Sequence, residues 1–275
     1  MMKLLVVVHI YYEDLWPELA ASLIRLHDPF ELRVTCVQHL EAVSAMVHAD
    51  FPDAQIELVE NRGFDVGPFL HIIDSVELNN YYAVVKLHTK RDIPPHYDMR
   101  VNVTGSRFRN LLLAFTKSPK NWQSALGKLK GDVGMVGEGK LFLNKFSDTL
   151  GDYRGVLEVM QRMKMPVQSG FFVAGSMFIV RASLLKPFQG RFRMEEFEIP
   201  DRSRGDCLPH FLERALGYAV YAQGYRLASW DDRPFALSVY WWRIRRALFH
   251  VHYGKHHDIF RVCGIPIWYR RTGKD

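Results

Sequence analysis

The sequence predicts an α/β fold, a mostly parallel sheet flanked by helices, with an aromatic and basic helical tail at the C-terminal end. Three observations carry that prediction. Residues 3–11 form a continuously apolar, valine-rich run, the pattern of a strand covered on both faces. Strand-like and helix-like stretches then alternate as β-α-β-α-β, which implies parallel strands joined by right-handed crossovers. A further apolar run, Tyr82–Leu87, ends in His88-Thr89-Lys90-Arg91.

Each element has a local reason. Residues 14–27 suit a helix: Asp14 can cap, Pro17 fits the first turn, and Leu19, Leu23 and Leu26 recur at helical spacing. Leu32, Val34 and Cys36 alternate in a second strand, Glu31–Val37. A helix at Leu40–Asp50, a turn at Phe51-Pro52-Asp53-Ala54 and a strand at Gln55–Glu60 follow. Asn61–Gly67 is a loop entering a helix at Phe69–Val76, and its two glycines permit close backbone approach. It is neither a Gly-x-Gly-x-x-Gly dinucleotide signature nor a Walker loop. Residues 92–105, with Pro94, Pro95 and Gly105, read as a mobile active-site loop or as plain disorder.

Arg107–Leu113 and Trp122–Leu129 are helical by spacing, and Asp132–Val136 is a strand with its turn at Gly137-Glu138-Gly139. Residues 141–165 place apolar residues at helical spacing, with methionines as core filler. In Gln168–Arg181 two apolar pieces flank Ala174-Gly175-Ser176, where small residues either leave room for a sugar or mark a strand kink. Residues 206–217 form a helix with Asp206 at the N-cap and Gly217 at the close. On it, His210 and Glu213 share a face and Arg214 lies beside them. The tail, residues 233–275, mixes Trp241, Trp242, Trp268 and Tyr269 with many arginines, which suits a membrane interface or a docking helix. His250, His252, His256 and His257 lack the other ligands a metal site needs.

Composition narrows the function. The 275 residues are 48% apolar, which excludes a disordered chain. A net charge of +6 favours anionic partners, but no RNA-binding signature accompanies it, so nucleic acid is not an expected partner. Three scattered cysteines exclude a disulfide framework and fit a reducing cytoplasm. No apolar run is long enough to cross a membrane, so the chain is expected to be soluble or peripheral. In open α/β sheets, ligands lie beyond the carboxyl ends of the strands. That rule selects His9 and Tyr11 after the first strand and Lys86, His88 and Lys90 at the end of the fourth, a set suited to an anion.

Four separated motifs, in order, carry a resemblance. They are Asn61-Arg62-Gly63-x-Asp65-x-Gly67-Pro68-Phe69, Lys86-Leu87-His88-Thr89-Lys90, Ala174-Gly175-Ser176-Met177-Phe178 and Asp206-x-x-x-His210-x-x-Glu213-Arg214. Over roughly residues 4–230 the chain resembles the rhamnan synthesis protein F family. Phe64 stands where that family often has a basic residue, and Phe108-Arg109 where a Trp-Arg pair is usual. The resemblance implies a GT-A-like, Rossmann-like glycosyltransferase domain over residues 1–232. Residues 1–136 would be the nucleotide-sugar half, 137–232 the acceptor half, and 233–275 a separate basic tail. It further implies inverting transfer of rhamnose or a related deoxyhexose, from dTDP-rhamnose or a similar donor, to a glycan or lipid-linked glycan of the bacterial surface. The expected location is cytoplasmic, peripheral on the inner face of the cell membrane.

The residues then receive roles. Many GT-A enzymes hold the pyrophosphate with an Asp-x-Asp motif and a divalent metal. No Asp-x-Asp occurs here, and Lys86, His88 and Lys90 stand at the strand exit instead. No cofactor and no metal are expected. Asp206 is the expected general base, with Glu213 as runner-up and His210 beside them. Asn61, Arg62 and Asp65 are expected at the donor, with His9 and Tyr11. Gly175, Ser176 and Arg214 are expected at the sugar or acceptor. A non-catalytic module that binds a nucleotide sugar or glycan is the alternative.

Overall fold

The computed structural model describes residues 3–92, 106–143, 150–168, 170–200, 207–231, 248–253, 257–263 and 265–271. Strand β1 (Lys3–Ile10) is buried at every position after Lys3. It pairs in parallel with β2 (Phe30–Cys36) on one side and β4 (Tyr81–His88) on the other. β2 pairs in parallel with β3 (Gln55–Leu58). Beyond β4 come β8 (Phe178–Arg181), β5 (Val133–Gly137) and β9 (Arg226–Ser229), giving a seven-stranded order β3-β2-β1-β4-β8-β5-β9. β8 runs antiparallel to both neighbours and the other pairings are parallel. A short antiparallel pair, β6 (Phe142–Leu143) and β7 (Phe172–Val173), stands apart.

Because successive strand residues point to opposite faces, β1 feeds two cores. Leu4, Val6, Val8 and Ile10 join one core with Trp16, Leu19 and Leu23 of α1 (Trp16–Ile24) and Val43 and Val47 of α2 (Leu40–Asp50). The same core takes Phe108 and Leu112 of α4 (Ser106–Leu112) and Trp122 of α5 (Pro119–Lys128). Leu5 and Val7 join the other core with Phe69, Leu70 and Ile73 of α3 (Val66–Ser75). Val159 of α6 (Leu150–Arg162) and Leu212 and Leu216 of α7 (Leu208–Ala222) complete it. Burial of large apolar side chains is worth roughly 1.5–3 kcal/mol each, so β1 is anchored from both faces.

Several expected boundaries move, each for a physical reason. α3 begins at Val66 rather than Phe69. Pro68 then falls in the first turn, where its missing N–H costs no hydrogen bond. α7 runs to Ala222, past Gly217. Gly217 is no C-cap: a Cβ there would lie 2.4 Å from the Phe171 carbonyl oxygen, so the glycine lets helix and strand backbones touch. The N-cap is Cys207, one residue after the expected Asp206. Residues 141–165 give β6 first and a helix only from Leu150.

The expectation of a helical tail is corrected. Its described residues form an antiparallel sheet of β10 (Phe249–Tyr253), β11 (His257–Val262) and β12 (Ile265–Arg271). Phe-His-Val-His-Tyr alternates with period two, and the later strands are rich in isoleucine and aromatics, which favour strands over helices. Among the described residues, no helix is long and apolar enough to cross a membrane. The loop expected over residues 92–105 lies almost wholly outside the described residues.

Candidate functional site

The chain winds from β1 outward through β2 and β3, then returns to the other side of β1 as β4. This reversal between β1 and β4 is the switch point at which open α/β sheets hold ligands. In register there, Val7 faces Lys86 and His9 faces His88. The alternation that sends Leu5, Val7 and Val84 to the α3 side sends His9, Lys86 and His88 there too. An otherwise apolar face therefore turns polar only at its carboxyl end.

Asp65 closes over this end. It precedes α3 at the N-cap position, yet makes no capping hydrogen bond. Its Oδ2 instead accepts from Lys86 Nζ and Ser176 Oγ. The loop is shaped for this by left-handed backbone at Gly63 (φ 71°) and Phe64 (φ 53°). A Cβ on Gly67 would lie 2.8 Å from the Arg62 carbonyl oxygen. From the other side, Gly63 N donates to Glu198 O at 3.1 Å and Arg62 Nη1 to Phe197 O at 3.1 Å, while Arg62 also pairs with Glu60.

Lys86 is 1% exposed. Besides Asp65, its Nζ donates to Ser176 O at 3.1 Å and Oγ at 3.0 Å, and sits 5.4 Å from the Phe69 ring centroid. His88 Nδ1 lies 3.5 Å from Asp65 Oδ2, and neither ring nitrogen has a hydrogen-bond partner among the described residues. His9 Nδ1 shares a hydrogen bond of 2.9 Å with Thr35 Oγ1.

Burial sets the charges. It lowers His9 to about 4 and His88 to about 3, outweighing the attraction of Asp65, so both imidazoles are neutral at pH 7. Burial would raise Asp65, but the facing His88 and Lys86 and the hydrogen bonds from Lys86 and Ser176 hold its carboxyl below the usual carboxylate range. Burial also lowers Lys86, against the pull of Asp65. With both histidines neutral, the cation facing Asp65 is Lys86.

Above this layer, Thr89 ties the two strand exits together. Its N–H donates to His9 O at 3.0 Å, and its Oγ1 accepts from Tyr11 N and Tyr12 N, both at 2.9 Å. The third wall is the turn Ala174-Gly175-Ser176 between β7 and β8. Gly175 (φ 81°) and Ser176 (φ 48°) are both left-handed. A Cβ on Gly175 would meet Leu112 and Phe108, so the space beside it is filled by protein. Glu213 of α7 reaches over and accepts Gly175 N–H at 2.7 Å. In the first turn of α7, His210 shares a 3.0 Å contact with Cys207 Sγ and lies 5.5 Å from Phe64, ring to ring. Arg214 is buried, donates to His210 O at 2.7 Å and stacks over Phe172.

The geometry thus brings together His9, Asp65, Lys86, His88, Ser176, Gly175 and Glu213, with His210 joined through Phe64. Asn61 and Tyr11 are exposed and Lys90 is half-buried at the rim. Lys86 departs from the expectation of an open cation: its ammonium is buried and already bonded to Asp65 and Ser176. Gly175 serves a chain reversal, and the guanidinium of Arg214 lies inside the fold. Asp206 lies outside the described residues. The sequence reading passed over Thr35, Phe69 and Thr89. Thr89 had a legible signal, a hydroxyl between His88 and Lys90 at a strand exit. Thr35 meets His9 only through strand pairing, and Phe69 meets Lys86 only through the packing of α3 on the sheet.

A sequence model of rhamnan synthesis protein F matches residues 1–225. This chain belongs to the rhamnan synthesis protein F family. Two relatives are the uncharacterized protein WxcX from two strains of Xanthomonas campestris pv. campestris, B100 and ATCC 33913. They are 27% and 26% identical over 230 residues, covering 82% of this chain and 32% of each relative. The rhamnan synthesis F chain therefore spans about a third of the length of those curated relatives. Among solved structures, S. aureus TarS 1–349 aligns over 84% of this chain and 59% of its own, at 13% identity and a TM-score of 0.45.

Proposed function

We propose that this chain is a glycosyltransferase domain that takes a sugar from a nucleotide-diphosphate donor and adds it to a bacterial surface polysaccharide, with rhamnose or a related deoxyhexose as the sugar. The observation that carries the reading is Asp65 at the switch point. Its bonds among the described residues all go to Oδ2, and its side chain keeps 18% exposure. Its Oδ1 has no partner among the described residues, which leaves one fixed anionic acceptor for a hydroxyl of the donor ribose or sugar.

Lys86 and Ser176 are positioning residues in this reading, since they lock Asp65 and leave little free charge. Stabilisation of the departing pyrophosphate falls to Lys90, half-buried at the rim. We infer transfer without a divalent metal at Asp65, because the charge of this carboxylate is already matched by the buried Lys86 ammonium. Asp206 is the proposed base that deprotonates the acceptor hydroxyl, because the first turn of α7 meets the Asp65 loop through Phe64 and His210. Glu213 has one oxygen committed to Gly175 N–H and acts as a positioning residue.

The test is transfer from a panel of dTDP- and UDP-sugars to a lipid-linked glycan by purified protein, with calorimetric donor binding alongside. Turnover that survives excess EDTA supports the reading. Binding without turnover in any donor–acceptor pair would make the chain a binding module. Full loss of turnover in EDTA, restored by Mn²⁺ or Mg²⁺, would overturn the metal-independent mechanism.

A further inference from the structure

Residues 233–275 carry nine Lys and Arg against two Asp. The chain as a whole has 36 basic and 30 acidic residues, so residues 1–232 hold 27 and 28, a net charge of −1. All of the excess positive charge therefore belongs to the segment that contains the β10-β11-β12 sheet.

That sheet also gathers several exposed large apolar side chains on one strand. On its edge strand β12, Ile265, Ile267, Trp268 and Tyr269 are each between 51% and 63% exposed. Residues 267–269 are consecutive, so both faces of the strand are apolar or aromatic rather than one. Arg261, exposed on β11, is paired with Pro266. Phe260 and Ile259, paired with Trp268 and Tyr269, are only half-buried.

We propose that β12 is a membrane-docking edge that inserts Ile265, Ile267, Trp268 and Tyr269 into the headgroup region of an anionic lipid bilayer. Tryptophan and tyrosine partition to that region, where one end of the ring is wet and the other apolar. Basic residues around them gain from the negative surface potential of anionic lipid. A bilayer interface also accepts apolar side chains on both faces of a strand. A protein partner adding a strand needs a continuous free edge, and Pro266 interrupts it, because a proline within an edge strand presents no N–H there. The positive charge is matched by lipid headgroups and opposed by a second copy of the same segment. The proposal is independent of the chemistry at Asp65.

Vesicle flotation of the full chain tests it, with vesicles of phosphatidylglycerol and phosphatidylcholine compared with phosphatidylcholine alone. The wild type is expected to float with the anionic vesicles, to stay down with the neutral ones, and to be released by salt. Ile267→Ser/Trp268→Ser alters exposed positions, so circular dichroism should not change while vesicle affinity falls at least tenfold. Arg261→Gln is expected to lower affinity about fivefold, the usual worth of one basic residue at such a surface. No flotation, equal flotation with neutral lipid, or an unaffected double variant would overturn the proposal. So would concentration-dependent dimers abolished by the double variant in the absence of lipid, or an oligonucleotide that strips the protein from vesicles at equal salt.

Discussion

His9 and His88 stand opposite each other on adjacent parallel strands, both buried and both on the face that carries Lys86. The pairing is unusual in its cost, since the buried His88 imidazole, with neither nitrogen bonded among the described residues, gives up its hydration. That cost sets this polar layer, at the switch point of the sheet, apart from the apolar core around it.

Stability should fall as the pH drops from 7 to 4. In the unfolded chain each histidine takes up its proton near pH 6.5. In the fold His9 resists until about 4 and His88 until about 3. The unfolded state therefore holds more protons across that window, so acid favours unfolding, with a slope of about 1.4 kcal/mol per pH unit for each histidine. The loss contributed by each levels off below its folded value. Asp65, held down in the fold, adds a further loss at lower pH. Urea unfolding at several pH values measures this, and His88→Gln should make the profile shallower. An unchanged profile in the variant would assign the acid sensitivity elsewhere.

Asp65→Asn leaves the buried Lys86 charge without its partner and should cost roughly 3–5 kcal/mol. Lys86→Met should cost a similar amount through the stranded carboxylate. The double variant Asp65→Asn/Lys86→Met should cost clearly less than the sum. A double-mutant cycle of denaturation midpoints reads this coupling, and additive losses would show that the pair contributes nothing jointly.

Asp206→Asn and Glu213→Gln separate the two carboxylates of the acceptor side. Glu213→Gln keeps an oxygen for Gly175 N–H, so turnover and stability should change little. Glu213→Ala should loosen the Gly175-Ser176 turn and weaken donor binding through Asp65. Asp206→Asn should reduce turnover by at least a hundredfold with donor affinity retained. The reverse pattern, with Glu213→Gln dead and Asp206→Asn active, would move the base to Glu213.

Gly217 and Gly127 are both helical glycines and should respond oppositely to alanine. At Gly217 the new methyl meets the backbone of Phe171 and Phe172, a clash expected to destabilise by about 1–3 kcal/mol. At Gly127 in α5 nothing lies within 4 Å, so alanine should stabilise by up to about 1 kcal/mol. Thermal midpoints of the two variants check the contrast.

Much of this was legible in the sequence because it is local. The valine run of β1, the alternation of elements through Leu87 and the polar exit at His88 all follow from patterns within a few residues. The motif set placed Asp65, Lys86 and Ser176 on three separate segments but could not show that they bond to one another. That fact lives in strand order: β8 inserts next to β4 from much later in the chain, which brings Ser176 to Lys86 across 90 positions. The same gap made Lys86 read as an open cation, since burial is not visible from a lysine at a strand end. Gly217 was misread because glycine marks both helix ends and close approaches, and only Phe171 across the contact distinguishes them. In the tail, aromatic and basic interleaving masked the period-two alternation of Phe249–Tyr253.

The most direct test of the central claim is an imidazole-selective NMR titration of isotope-labelled histidines with the nucleoside diphosphate of the preferred donor. The structure predicts that the resonances of His9 and His88, assigned by His→Gln substitution, move on saturation, and that Asp65→Asn weakens the titration. Saturable binding that leaves both resonances in place would put the donor elsewhere and contradict the account.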